Sequence, residues 1–186
     1  YRARYIDNQT GRDYLLQRIN HHVFKSPEKV MENMRKVTAH LWNKLRDTGE
    51  QDPSRRCLRL IPMADGKFLY RDSDGNYWRT MDCISGVETF DRVEKPEQAF
   101  QAALAFGHFQ RLLLDFPATD LHDTIPDFHN TRRRFERFLE VLDADPADRA
   151  SQIPEEVRFL KEHELEASRL LDLQDRGELP LRVTHN

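Results

Sequence analysis

Glycine is scarce in this 186-residue chain, with seven residues against an average usage of about 7%. That scarcity excludes collagen-like and low-complexity classes. Cysteine is limited to Cys57 and Cys83, which belong to no paired motif. A disulfide scaffold is therefore excluded, and with no signal-peptide pattern a reducing, cytoplasmic compartment is the expectation. No run of about 20 apolar residues exists, so the sequence offers no membrane-spanning helix. An excess of basic charge is missing too. Lys+Arg 29 against Asp+Glu 32 leave a net charge of −3, and no global basic field invites nucleic acid.

What is present is charge of both signs, 33% of the chain, on a length that sets a prior of one domain or two small ones. Tyr1–Ile6 and Tyr14–Ile19 read as two strands around the turn residues Asn8-Gln9-Thr10-Gly11. Ser26-Pro27-Glu28 then marks a helix start, with a capping hydroxyl, a proline at the first helical position and an acid in the first turn. Val30, Met34, Val37, Leu41 and Leu45 share one face of that helix, and Gly49 is placed to end it. Three further strands are expected at Cys57–Pro62, Lys67–Tyr70 and Tyr77–Met81, separated by Asp65-Gly66 and Asp74-Gly75 turns.

Beyond about Asp91 the pattern becomes helical. Helices are expected at Pro96–Asp115, Thr131–Leu142 and Pro154–Gln174, with Gly177 stopping the last, and Leu181–Thr184 turns β-like again. Ala99, Phe100, Ala103, Phe106 and Leu113 form the apolar side of the first. The chain opens without methionine on a strand and stops inside an ordered-looking segment, so it reads as a piece of a longer protein.

Motifs for chemistry are few. The eight histidines include no H-x-x-x-H pair and no C-x-x-C accompanies them, so a protein-built zinc site is not expected. Neither cysteine sits in the C-x-P-x-R setting that sulfatase chemistry needs. Arg132-Arg133-Arg134 could grip phosphates, but Glu136 and Glu140 favour a solvated helix face. Phe100, Phe106, Phe109 and Phe116 read as core rather than a stacking platform. Thr124–Thr131 sets a polar His129 and Asn130 at a helix entrance beside Phe128, which fits equally an N-cap (Asn130 or Thr131) or a substrate pocket.

Taken in order, five segments resemble one family. They are Tyr14–Asn20 with Val23-Phe24, then Met31-Glu32-Asn33 with Val37-Thr38, then the Trp78-Arg79 strand. Thr124–Thr131 with Arg134, Phe135 and Phe138 follows, and Pro180–Asn186 closes the series. The chain is similar to the N-acetylhexosamine 1-kinases of the aminoglycoside phosphotransferase and choline kinase superfamily. It resembles the middle of such an enzyme, cut at both ends.

That resemblance implies an α+β, protein-kinase-like fold. A sheet lobe with one helix is expected over residues 1–84, and the first part of a helical lobe over 85–186. It implies ATP-dependent phosphorylation of the anomeric hydroxyl of an N-acetylhexosamine, with ATP and Mg²⁺ as cofactors. The partners implied are a sugar and a nucleotide, with neither nucleic acid nor membrane. His185 and Asn186 would belong to the catalytic loop, with the aspartate base as the next residue and the Mg²⁺ ligands further on. Gln17, Asp82, Cys83 and Ile84 are the expected nucleotide-binding residues, and Phe128, His129, Asn130 and Thr131 the candidate sugar-binding ones. Gln17 occupies the slot where kinase-like folds carry a phosphate-pairing lysine, and it brings no charge. Glu32 on the following helix is the candidate partner for the Gln17 strand, and a solvent-facing glutamate fits it equally. The alternatives are a kinase of another small alcohol (aminoglycoside, choline or homoserine) and a non-catalytic kinase-like binding module.

Overall fold

The computed structural model describes residues 1–7 and 10–184. The chain is α+β and divides into two compact units, Tyr1–Thr124 with the segment from Arg182 onward, and Ile125–Leu181. The first holds β1 (Arg2–Asp7), β2 (Thr10–Ile19), α1 (Pro27–Asp47), β3 (Tyr70–Arg71), β4 (Tyr77–Asp82) and α2 (Pro96–Leu112). The second holds α3 (Thr131–Ala144), α4 (Pro154–Glu162) and α5 (Glu164–Asp175). Among the described residues no helix is long and apolar enough to cross a membrane.

The sheet is antiparallel, in the order β1-β2-β4-β3. Asn8 and Gln9, the expected turn between β1 and β2, lie outside the described residues. Opposite β2, β4 sets Leu15 against Met81, Gln17 against Arg79 and Ile19 against Tyr77. Strand alternation puts Leu15, Gln17 and Ile19 on one face and Leu16 and Arg18 on the other. Ile19, Met81, Leu60 and Met31 of α1 form one buried cluster, so α1 covers the Gln17 face.

Helix α1 follows its sequence signals closely. Pro27 opens it, Glu28 sits in the first turn and Gly49 stops it at φ +75°. The expected Ser26 cap does not form: its side chain makes no capping bond, and Val30 N–H donates to the Ser26 carbonyl at 3.2 Å. The far half of α1 builds a second cluster, in which Leu41 and Leu45 pack with Cys57, Leu113 and Phe116.

That second cluster competes with the sheet for the segment after α1. The expected strand Cys57–Pro62 contributes a single bridge, Leu60 to Met81, flanked by Ile61 N–H to Thr80 O at 2.9 Å and Asp82 N–H to Arg59 O at 3.0 Å. Cys57 is drawn away into the α1 cluster, and Pro62 has no N–H to extend the ladder. Lys67–Tyr70 likewise shrinks to Tyr70–Arg71, because Phe68 and Leu69 turn onto the sheet core. Both Asp-Gly turns are present, with Gly66 and Gly75 at φ near +81° and +82°. The Asp72 carboxylate organises the second turn, accepting from the N–H groups of Asp74 and Asn76 and from Trp78 Nε1 at 2.7 Å.

Helix α2 starts at Pro96 as expected but ends at Leu112 and contains no buried residue. Leu113 and Phe116, just past its end, carry the burial, with Phe109 partly buried beside them. Phe100 and Phe106, expected in the core, are 60% and 49% exposed. Because Leu113 and Phe116 join α1, the first unit runs on to Thr124, whereas the sequence reading ended its lobe at residue 84.

In the second unit Asn130 caps α3 by accepting from Arg133 N–H at 3.1 Å. The single helix expected over Pro154–Gln174 is two. His163 breaks it: the ring nitrogen Nδ1 lies 2.8 Å from the Phe159 carbonyl, the ring stacks on Phe159, and the backbone leaves helical geometry at φ −106°, ψ 19°. Leu181–Thr184 forms no strand; Val183 packs on the α1 cluster instead.

Candidate functional site

Two regions gather the residues that the sequence marks for chemistry. In the first unit they lie along β2, β4 and the segment that leaves β4. Gln17 is exposed on the α1-facing side of β2, and its Oε1 accepts two hydrogen bonds from Arg79, from Nε at 2.9 Å and from Nη2 at 2.7 Å. The third nitrogen of that guanidinium, Nη1, points at Met34 Sδ, 3.1 Å away, with Met31 Sδ at 4.0 Å. Burial lowers the pKa of Arg79 from its ordinary value. Arg18 occupies the opposite face, as alternation requires.

Asp82, Cys83 and Ile84 follow where β4 ends. Asp82 N–H donates to Arg59 O, and Cys83 N–H donates to Asp13 O at 3.2 Å. Those two amides are committed to the fold. Among the described residues the Ile84 N–H makes no such bond, so it is the remaining backbone donor of the trio. The Asp82 side chain pairs through Oδ2 with Arg12 at 2.9 Å, while its buried Oδ1 has no hydrogen-bond partner among the described residues. Beside it, Asp13 is held well below the usual carboxylate range by Arg4, then Arg2.

Glu32, the candidate partner for the Gln17 strand, bonds elsewhere. It accepts from Lys36 at 2.9 Å, one helical turn on, and lies 2.7 Å from His122 Nε2. The Lys36 ammonium first, and the His122 ring second, lower its pKa to about 2. Asn33 fixes the same loop by exchanging two 2.8 Å bonds with the His122 backbone. The sequence reading missed His122: it lies 90 residues from Glu32, and no local pattern announces that pairing. A groove of about 450 Å³ opens between Glu28, Glu32 and Arg35 of α1 and Lys67, Arg71 and Tyr77 of the sheet edge. None of the expected nucleotide-binding residues lines it.

The second region is the entrance to α3. Phe128 and His129 are exposed and meet edge to face, 4.6 Å between ring centroids. Arg134 lies over the Phe128 ring and donates to its carbonyl. Asn130 is spent on the helix cap and on Asp127, and Thr131 donates its hydroxyl to the Ala167 carbonyl. Of the four candidate sugar-binding residues, only Phe128 and His129 keep side chains available to a ligand. The triple arginine is engaged as well, since Arg132 pairs with Asp172 and Asp175, and Arg133 with Glu136.

His185 and Asn186 lie outside the described residues. Among the described residues no group of three His, Cys, Asp or Glu side chains could hold a metal ion. Burial raises the Cys57 thiol to about 11, so it is an inert core group rather than a nucleophile. No family model matches the chain.

Proposed function

We propose that this chain is part of an ATP-dependent kinase that phosphorylates the anomeric hydroxyl of an N-acetylhexosamine. The observation that carries the reading is the position of Gln17. It stands on the α1-covered face of a strand that leads into α1, and a neighbouring strand brings Arg79 beside it before leaving the sheet at residues 82–84. That order supports a kinase-like sheet lobe, in which a strand with the phosphate-pairing residue precedes the helix with its acidic partner. Glu32 is on that helix, tied to Lys36 and His122. It would act by fixing α1 rather than by gripping the residue at position 17.

Adenine would meet the backbone where β4 ends, with Ile84 N–H as donor and the carbonyls of residues 82–84 as acceptors. A neutral sugar needs hydrogen bonds and an aromatic surface rather than charge pairing, and Phe128 with His129 offers both. The C1 hydroxyl is the most acidic on the sugar, so one aspartate, the residue the resemblance sets after Asn186, suffices as base. When bound, Mg²⁺ neutralises charge on the phosphoryl oxygens, and the resemblance assigns its ligands beyond this chain.

The test is phosphorus NMR of the full-length protein with ATP, Mg²⁺ and each amino sugar. A sugar 1-phosphate is expected, and His129→Ala should raise KM for sugar more than for ATP. A product phosphorylated at C6, or turnover with choline, homoserine or aminoglycosides only, refutes the assignment.

A further inference from the structure

The Gln17–Arg79 pair has a property that a purely structural pair lacks. Arg79 is half-buried and, among the described residues, no carboxylate lies within salt-bridge distance of it. Its contacts are one neutral amide oxygen and two methionine sulfurs. A guanidinium carries five N–H donors and no acceptor. Two are taken by Gln17 and one by the weakly accepting Met34 sulfur. The amide bond also orients Gln17. With Oε1 turned to Arg79, the two Nε2 donors are left without a partner among the described residues, on an exposed side chain. The cluster therefore presents only donors and one net positive charge. Its complement is an anion with several acceptor oxygens.

We propose that Gln17 and Arg79 together bind a phosphate-class polyanion, with Arg79 supplying the charge that the strand lacks at position 17. The inference rests on the kinase reading for the biological source of the anion, a nucleotide polyphosphate. Gln17 acts as the hinge of the pair: it immobilises the guanidinium through its oxygen and offers its own amide hydrogens to the same ligand. Met31 and Met34 keep the other side of the guanidinium dry, which strengthens a charged hydrogen bond there.

The experiment is calorimetric titration of the 186-residue chain at low ionic strength with tripolyphosphate and, separately, with adenosine. Arg79→Met keeps a flexible apolar side chain among the methionines. Gln17→Glu keeps an acceptor for Arg79 but cancels its charge, and so remains informative should Arg79→Met fail to fold. Either variant, once its circular dichroism matches the parent, should weaken tripolyphosphate binding by about ten- to a hundredfold, the loss of one charged hydrogen-bonding group. Tripolyphosphate affinity unchanged in either folded variant, or no binding to the parent, overturns the site. Adenosine separates this from the kinase reading. Arg79-dependent tripolyphosphate binding without adenosine binding supports the anion site and counts against the kinase. Adenosine binding with Arg79-independent tripolyphosphate affinity does the reverse.

Discussion

The two units of this chain are held together by different physics. Every buried apolar side chain among the described residues belongs to the first unit, in the cluster under the sheet and the cluster between α1 and the segment after α2. The helices of the second unit contain no buried residue at all. Its order comes from polar geometry instead. Arg132 bridges Asp172 and Asp175, Thr131 reaches Ala167, Asn130 caps α3, and Asp145 turns left-handed at φ 31° to end it. Hydrophobic burial is non-directional and adds up with area, whereas exposed ion pairs contribute little each and are screened by salt. The first unit should therefore resist unfolding and the second should yield to modest perturbation.

The strongest way to break that contrast is to hollow the first unit. Leu113 is 1% exposed, and Leu113→Ala should cost about 2–5 kcal/mol, read as a shifted urea midpoint by fluorescence of the adjoining Trp42. An unchanged midpoint would mean that this cluster does not hold the unit together. Next in size, Asn130→Ala removes the α3 cap and should cost about 0.5–2 kcal/mol, while Asn130→Asp restores most of it. Helical circular dichroism of the two variants decides this.

A smaller effect comes from pH. Glu32 has a folded pKa of about 2 against an ordinary 4.5, so its contribution is fully present above pH 4.5 and is lost as pH falls from there towards 2. Glu32→Gln should flatten the dependence of stability on pH within that window. An identical slope in the variant would show that Lys36 and His122 do not matter to folding. Least of all, Phe100→Ser on the exposed face of α2 should change stability by within about 0.5 kcal/mol. A larger loss in thermal melts would show that α2 is buried in solution.

Much of the fold is legible in the sequence where the signals are local. Pro27 and Gly49 bracket α1, Pro96 opens α2, and the two Asp-Gly turns fall where the residues set them. What fails is decided by distant partners. Cys57–Pro62 alternates like a strand, yet Cys57 is claimed by Leu41 and Leu45, and a sequence pattern cannot say which core wins. Phe100 and Phe106 have helical spacing, but spacing tells which residues share a face and not whether anything covers it. His163 breaks a continuous helical pattern through a ring-to-carbonyl contact that no propensity scale contains. The site divides the same way. The sequence singles out Gln17 only through its resemblance to a kinase strand, and the neutrality of its amide follows from its type alone. That Arg79 lies opposite depends on the β2–β4 register, which only the assembled sheet reveals.

The carboxylate of Asp72 bears on how fast that sheet can form. It ties Asp74, Asn76 and Trp78 into a turn that closes over a handful of residues, so β3 and β4 can meet without help from the rest of the chain. The β1–β2 hairpin is similarly local, with Arg2 opposite Leu15. Joining the two hairpins is a different matter, because Gln17 and Arg79 are 62 residues apart and all of α1 lies between them. Loop-closure entropy must be overcome before that contact returns anything. The docking of the two hairpins across α1 is therefore expected to be the slow step of folding. Mutations at Asp72 should slow folding by most of the stability they cost, whereas mutations at Ile19 or Met81, whose contacts are completed only after docking begins, should act more through faster unfolding in stopped-flow kinetics.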